Sequence, residues 1–341
     1  MFWLTLALIA FLTLQAIYAT DNWKWFNVDF NKRDHIIGAY GTLIGGVLAF
    51  LSILFVLYQV YEQREQIIQE KKDAEIERKQ DLKDRLLLLS DFLKSILNDI
   101  VSNGDQMEKF YKAEKAAPST MNTMQFSINK NFQRITQLDD LSMYRAIKLY
   151  LKDEKNWQKH FLNLYELLDF YSEALLDLRA KYNYHTTDKV KELKQIGANM
   201  EKMLNLNAKF IDDYLTHFGE NEYLNQPWSS LINTLSLEYH TYLNQVIEGG
   251  NVPNFRYISD NFFQPFIKKA MEIRNAEGYD AVGSREIVEL TSTIRKKIWE
   301  VETYSMQYAN DIEKQYTNYF SNDNVNINEL RDIKKLIDGK L

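Results

Sequence analysis

The chain has 341 residues and a formal net charge of −6, and it contains no cysteine. The lack of cysteine excludes disulfides, thiolate metal sites and cysteine nucleophiles. Lys and Arg are interspersed with Asp and Glu, so the sequence predicts no basic face for a nucleic-acid partner. Only 12 Gly and 4 Pro occur, and this scarcity favours long helices over a β-rich fold.

The first element is an apolar run from Phe2 to Ala19, which is either a signal peptide or a membrane-spanning helix. No Lys or Arg precedes it, and cleavage after Ala19 would put Ile17 where a small residue is preferred. We therefore interpret this run as a retained span. The connector that follows, residues 20–35, is rich in Trp and Phe, which is typical of a membrane interface.

A second apolar run covers 23 uncharged residues, 36–58. As a helix it would be about 34 Å long, enough to cross a hydrocarbon core of about 30 Å. Neither run contains Asp, Glu, His, Lys or Arg, which argues against a proton relay or a charged conduction path within one chain. The second run carries four glycines, which are Gly38, Gly41, Gly45 and Gly46.

Gly41 and Gly45 are four residues apart and share a helix face, on which another helix backbone can approach closely. Two interpretations stay open. In the first, this face packs against the other span of the hairpin. In the second, it lies at a contact between protomers, which could surround a pore. In either case the slight excess of Lys and Arg after the second span favours a cytoplasmic C-terminal part.

Residues 59–101 continue as a charged, helix-favouring segment, which we interpret as a stalk. An apolar seam with steps of four and three residues appears along its second half. The seam consists of Leu82, Leu86, Leu89, Leu93, Ile96 and Ile100. It either pairs between protomers or packs on the chain's own domain, and the additional apolar residues that broaden it favour the second interpretation.

Residues 102–341 have the pattern of an antiparallel helical bundle, because apolar residues recur every three or four positions along several segments. Gly104 and Pro118 are interpreted as breaks, Gly219 as a helix end and Pro227 as a helix start. Loops are predicted at 248–254 and 278–283. The predicted helices are 106–115, 121–137, 141–151, a stripe over 157–178, 187–217, a segment from 227, 260–276, 284–320 and 328–337.

The sequence contains no motif that points firmly to catalysis. A Gly-rich phosphate loop, a paired-histidine zinc motif and a Gly-x-Ser-x-Gly elbow are all missing, so we expect no cofactor and no metal. Arg179 and His185 lie six residues apart, and this spacing resembles the Arg–His motif of the helical HEPN ribonucleases. That resemblance implies action at a scissile phosphate, although Ala180 stands where the family often has a polar residue. The alternative is an ordinary solvated helix end.

The segments Gly38–Gln63 and Leu86–Leu93 together carry a second resemblance. In the order of its parts the chain resembles bacterial membrane proteins assigned to phage abortive infection, over about 60 residues. The resemblance implies a two-helix membrane anchor, a Gly-bearing second span that continues into a charged helix, and a cytosolic α-helical region.

The predicted fold is therefore all-α, with a transmembrane hairpin in residues 1–58, a stalk in 59–101 and a cytosolic antiparallel bundle in 102–341. The spans of the hairpin are 2–19 and 36–58. We expect a non-enzymatic effector of antiphage defence in the bacterial inner membrane, whose helical domain senses a trigger and whose spans assemble or permeabilise the bilayer. Its expected partners are the lipid bilayer and a second copy or another protein, with no nucleic acid.

Two alternatives are a membrane tether for a cytosolic partner and a membrane-bound ribonuclease that uses Arg179 and His185.

Overall fold

The computed structural model describes residues 2–19 and 30–341, and within these ranges every regular element is a helix and none is a strand. The predicted all-α class is thereby confirmed for the described chain. Most of the aromatic connector predicted to lie at a membrane interface, residues 20–29, falls outside the described residues.

Ten α-helices are interrupted by one 3₁₀ turn, Tyr223–Asn225, and by two π-helical segments, Ser259–Phe263 and Tyr316–Phe320, in the part of the chain that is described. The α-helices are α1 (Phe2–Ala19), α2 (Phe30–Ala116), α3 (Asn131–Thr136), α4 (Asp140–Leu151), α5 (Trp157–Phe218), α6 (Pro227–Glu248), α7 (Phe255–Ile258), α8 (Gln264–Glu277), α9 (Ser284–Gln315) and α10 (Val325–Asp338).

The chain divides into two compact units, residues 1–81 and 82–341, and α2 contributes to both. Among the described residues one helix, the part of α2 from Gly38 onward, is long and apolar enough to cross a membrane by length and composition. The most apolar 18-residue window of this helix is not buried at all by other described parts of the chain. This apolar stretch of α2 is therefore not covered by the rest of the described chain.

The second unit contains two hydrophobic cores. The first is built from α2 from Leu82 onward, α3, α4, the first half of α5, the end of α9 and α10. The second is built from the second half of α5, α6, α7, α8 and the first half of α9. Because both cores draw on α5 and α9, these two helices connect them.

Cross-contacts show that α5 and α9 run antiparallel. Lys202 of α5 pairs with Glu286 near the start of α9, and Glu192 pairs with Lys297 further along. His185 then stacks on Tyr308. The residue numbers fall on α5 as they rise on α9, so the start of each helix lies beside the end of the other.

Several predicted boundaries agree with the structure because local chemistry determines them. Gly219, at φ +78°, ends α5 in a conformation that glycine adopts without strain. Pro227 is the first residue of α6, where its missing N–H costs nothing. Asp139 caps α4 by accepting a hydrogen bond from the Ser142 backbone N–H at 3.0 Å. The loops predicted at 248–254 and 278–283 are also found.

Gly104 was predicted as a break, and this prediction is wrong, because α2 passes through it and continues to Ala116. A Cβ at Gly104 would overlap the backbone carbonyl oxygen of Phe320. The glycine therefore allows a close approach of two backbones, which compensates for its poor helix propensity. The short helix predicted at 106–115 is the end of α2.

A helix predicted over 121–137 is also largely wrong, since only α3 forms there and residues 121–130 are not helical. The buried Asn103 side chain accepts a hydrogen bond from the Ser127 backbone N–H at 3.2 Å and donates one to the Ser127 carbonyl oxygen at 3.4 Å. The Met124 backbone N–H donates to the Tyr182 hydroxyl oxygen at 3.0 Å. Side chains thus satisfy backbone groups that a helix would otherwise pair.

Candidate functional site

The most unusual group in the described chain is a buried ion pair between α2 and α5. Glu114 lies in the last turn of α2 and is fully buried, and Lys189 of α5 is 5% exposed. The Lys189 Nζ atom donates to Glu114 Oε1 at 2.5 Å. Charged residues are rarely buried unless they are paired, so these two residues require each other.

Two further side chains complete the hydrogen bonding of the Glu114 carboxylate. His185 Nε2 lies 3.1 Å from Oε1, and the Asn122 Nδ2 atom donates to Oε2 at 2.7 Å. His185 and Lys189 are four residues apart on α5, so they face Glu114 from one side of that helix. Asn122 also donates to the carbonyl oxygen of Ala117 at 3.1 Å, just beyond the end of α2.

Aromatic rings enclose this cluster. The Tyr308 ring of α9 stacks on the His185 ring with centroids 4.1 Å apart, and Phe110 of α2 meets both rings edge-on. Tyr182 contacts Phe110 edge-on at 5.6 Å. These rings lower the local dielectric and strengthen the ion pair, and they leave little access from solvent.

Burial alone would raise the pKa of Glu114, but the hydrogen bonds from His185, Lys189 and Asn122 outweigh it and hold the pKa below its usual value. For Lys189 burial dominates and lowers the pKa, and Glu114 offsets only part of this effect. Burial also raises the pKa of the Tyr308 hydroxyl. The carboxylate is therefore held ionised in a closed, hydrogen-bonded setting.

The cluster joins α2, the non-helical segment after it and α5, and Tyr308 of α9 covers it. A fully buried carboxylate with both oxygens engaged is not presented to a substrate. Its geometry is that of a structural ion-pair network within the helical unit.

Arg179 and His185, the candidate ribonuclease pair, are placed in different surroundings. Both lie within α5 rather than near a helix end, and six residues correspond to a rotation of about 120° between the two side chains. Arg179 is exposed and lines a cavity of about 220 Å³ with Asp99 and Asn103, whereas His185 binds Glu114. The structure does not bring the two side chains together.

The glycines of the second apolar run have open space beside them. A Cβ built at Gly38, Gly41, Gly45 or Gly46 would meet no described atom within 4 Å, apart from the adjoining helix itself. No described helix therefore occupies this face. By contrast, the predicted seam is covered, because all six of its residues are buried in the first core of the second unit. These are Leu82, Leu86, Leu89, Leu93, Ile96 and Ile100.

No cluster of three or more His, Asp or Glu side chains that could hold a metal ion occurs in the described residues. The sequence reasoning missed the Glu114–Lys189 pair. A signal for it was present, because the seam of α2 continues through Ile100, Met107 and Phe110 and reaches Glu114 at the same spacing. A charged residue at an apolar position of a seam requires a buried partner.

Comparisons with known proteins add no family to this description, since no family model, curated protein or solved structure matches the chain.

Proposed function

We propose that this protein is a non-enzymatic effector of antiphage defence in the bacterial inner membrane. The observation that supports a membrane role is the uncovered apolar part of α2, where none of an 18-residue window is buried. Leaving apolar surface in water costs about 25 cal/mol per Å², and large exposed apolar patches mark membrane or partner surfaces. The defence role rests on the resemblance of Gly38–Gln63 and Leu86–Leu93 to abortive-infection proteins.

In the proposed arrangement α1 and residues 36–58 form a transmembrane hairpin, residues 59–101 are a stalk, and the remaining helices form a cytosolic antiparallel bundle. The cytosolic part responds to a trigger, and the spans then assemble or make the bilayer leaky. A leak can stop an infected cell without any covalent chemistry.

The open space beside Gly41 and Gly45 supports assembly between protomers. A face of small residues lets two helix backbones approach closely, and here no described helix fills it. Assembly would cover this face with the same face of a second copy. A membrane tether would have no need of such a contact.

The experiment follows membrane potential with a dye in cells that express the full chain, before and during phage challenge. We expect depolarisation that precedes lysis and depends on the protein. The variant Gly41→Leu/Gly45→Leu should remain in the membrane, because Leu favours insertion, but should lose both depolarisation and protection.

The matched control is Ala39→Leu, which enlarges a small side chain about 200° around the same helix from Gly41 and should retain wild-type behaviour. Protection with a steady membrane potential would refute the leak. Equal protection by the double glycine variant would refute assembly through this face. A steady potential together with a stably captured cytosolic partner would favour the tether, and degraded cellular RNA would favour the ribonuclease.

A further inference from the structure

A cavity of about 360 Å³ lies in the second unit, between the segment from α7 to α8 and one face of α9. Its α9 wall is a single helix face, since the residues that line it recur at three- and four-residue steps. They are Ser292, Arg295, Lys296, Ile298, Trp299 and Glu302. The opposite wall contains Arg256, Ser259 and Asp260. This volume is in the range of small-molecule sites.

The two negative charges of the cavity share one cation. Arg256 Nη1 donates to Glu302 Oε2 at 2.7 Å, and Arg256 Nε donates to Asp260 Oδ2 at 2.7 Å. One guanidinium thus binds both carboxylates in the lining. Because one positive charge faces two negative charges, this group keeps one net negative charge.

The remaining positive charges are poorly neutralised. Arg295 Nη2 donates to the neutral Gln264 Oε1 at 2.7 Å, while Arg295 Nε is buried and has no hydrogen-bond partner among the described residues. Lys296 is exposed and pairs with the partly buried Glu300 at 3.7 Å. A buried donor without a partner is costly to leave unpaired, and an anionic oxygen is the acceptor that a guanidinium binds best.

An aromatic surface lies next to these cations. The Trp299 side chain lines the cavity and is 62% exposed, which is unusual for the largest apolar side chain. It follows Arg295 by four residues and therefore lies on the same face of α9. Ile267 and Ile298 add apolar surface to the lining. A flat ring of a ligand can stack on the indole while its anionic group reaches Arg295 and Lys296.

The opposite wall has an irregular backbone. Ser259 and Asp260 belong to the π-helical segment Ser259–Phe263, where the helix is locally wider than an α-helix. Such segments are found frequently at functional sites. In this chain the π-helical segment places Ser259 and Asp260 opposite the cationic face of α9.

We propose that this cavity binds a small phosphate monoester that carries a flat ring, of the size of a nucleoside monophosphate. The phosphate lies against the guanidinium of Arg295 and the ammonium of Lys296, and the ring stacks on Trp299. The lining holds three cations and two carboxylates, which leaves one net positive charge to attract the phosphate, and the volume accommodates both parts of the ligand. This inference goes beyond the membrane role and does not depend on it.

The test is isothermal titration calorimetry of the detergent-solubilised full chain with a nucleoside monophosphate, using each of the four common bases, and separately with inorganic phosphate and with a nucleoside. We expect at least one monophosphate to bind more tightly than either of its parts. Arg295→Met should weaken binding about tenfold or more, because it removes charged hydrogen bonds. Trp299→Leu should weaken binding of the monophosphate but not of inorganic phosphate.

Arg285→Met is the matched control, because it removes an exposed guanidinium near the start of the same helix and should leave the affinity unchanged. Circular dichroism melts verify that each variant is folded. Absence of saturable binding by all four monophosphates to the wild-type chain would overturn the proposal. So would equal affinity in the Arg295→Met variant, and equal binding of phosphate alone would overturn the role of Trp299.

Discussion

Replacement of Lys189 by Met removes one partner of the buried ion pair while leaving a side chain of similar length. At an ordinary ion-pair separation of about 3 Å, Coulomb's law with an effective dielectric of about 20 gives an attraction of about 5–6 kcal/mol. Removing each ion from water costs several kcal/mol, so the intact pair contributes little net stability. The variant keeps the cost of burying Glu114 but loses the attraction.

We therefore expect Lys189→Met to lower the free energy of unfolding by about 3–5 kcal/mol. The double variant Glu114→Gln/Lys189→Met should recover at least half of this loss, because the amide that replaces the Glu114 carboxylate carries no charge to bury and keeps an oxygen for Asn122. The control Lys181→Met breaks a pair with Asp177 that is about half exposed on the same helix and should cost less than about 1 kcal/mol.

The measurement is urea denaturation of the detergent-solubilised full chain, followed by circular dichroism and by pulse proteolysis. In thermal melts the single variant should unfold on the order of 10 °C below the wild type. A loss below about 1 kcal/mol, or a double variant no more stable than Lys189→Met, would refute the reasoning from uncompensated charge.

Acid provides a second measurement on the same pair. Because the folded-state pKa of Glu114 lies below its usual value of 4.5, its contribution to stability is complete above that pH and is lost as the pH falls through the lowered pKa. Protonation then leaves Lys189 buried without a counter-charge. The wild type should therefore lose more stability below pH 4.5 than the double variant, and parallel pH profiles would contradict this assignment.

Two further substitutions test contacts in the first core, both measured by urea denaturation. Gly104→Ala should destabilise the fold by about 1–3 kcal/mol, because the new methyl group overlaps the Phe320 carbonyl oxygen. The same change at Gly197, which has open space beside it, should instead stabilise by about 0.5–1 kcal/mol, so equal effects at both positions would contradict the steric argument. Tyr171→Phe should cost about 1–2 kcal/mol, because the buried hydroxyl donates to the Tyr319 carbonyl oxygen at 2.8 Å, and an unchanged midpoint would show that this bond is dispensable.

The long-range periodicity of the sequence predicts much of the helical unit, but local breaks are predicted less well. The apolar stripe of α9 and the Gly219–Pro227 boundary follow from helix spacing and from turn chemistry. The two helices predicted on either side of Tyr182 are one helix, α5. Its middle contains residues of weak helix propensity, but Tyr182 and Lys189 are buried there, and tertiary contacts override the propensity.

The candidate sites were harder to predict because they depend on residues that are distant in sequence. Glu114 and Lys189 are separated by 75 positions, and only the apolar spacing on both helices marks them as inward-facing. The cavity beside Trp299 lies where α9 packs against a π-helical segment. No pattern in residues 259–263 predicts that change of helix type. The Arg179–His185 spacing, by contrast, matches a motif in the sequence, but the two side chains have different neighbours in the structure. Arg179 lines a cavity, and His185 contacts Glu114.

The two hydrophobic cores share α5 and α9, and this sharing has a consequence for how the second unit loses its structure. If one core opened alone, α5 and α9 would each have to fray up to an internal position and expose the apolar stripe that continues into the other core. Such a half-open state would keep the helix pairing of the closed core but would expose the apolar surface of the opened one. The two cores should therefore unfold together in one cooperative transition. A destabilising substitution in one core should then lower the stability of the other core as well.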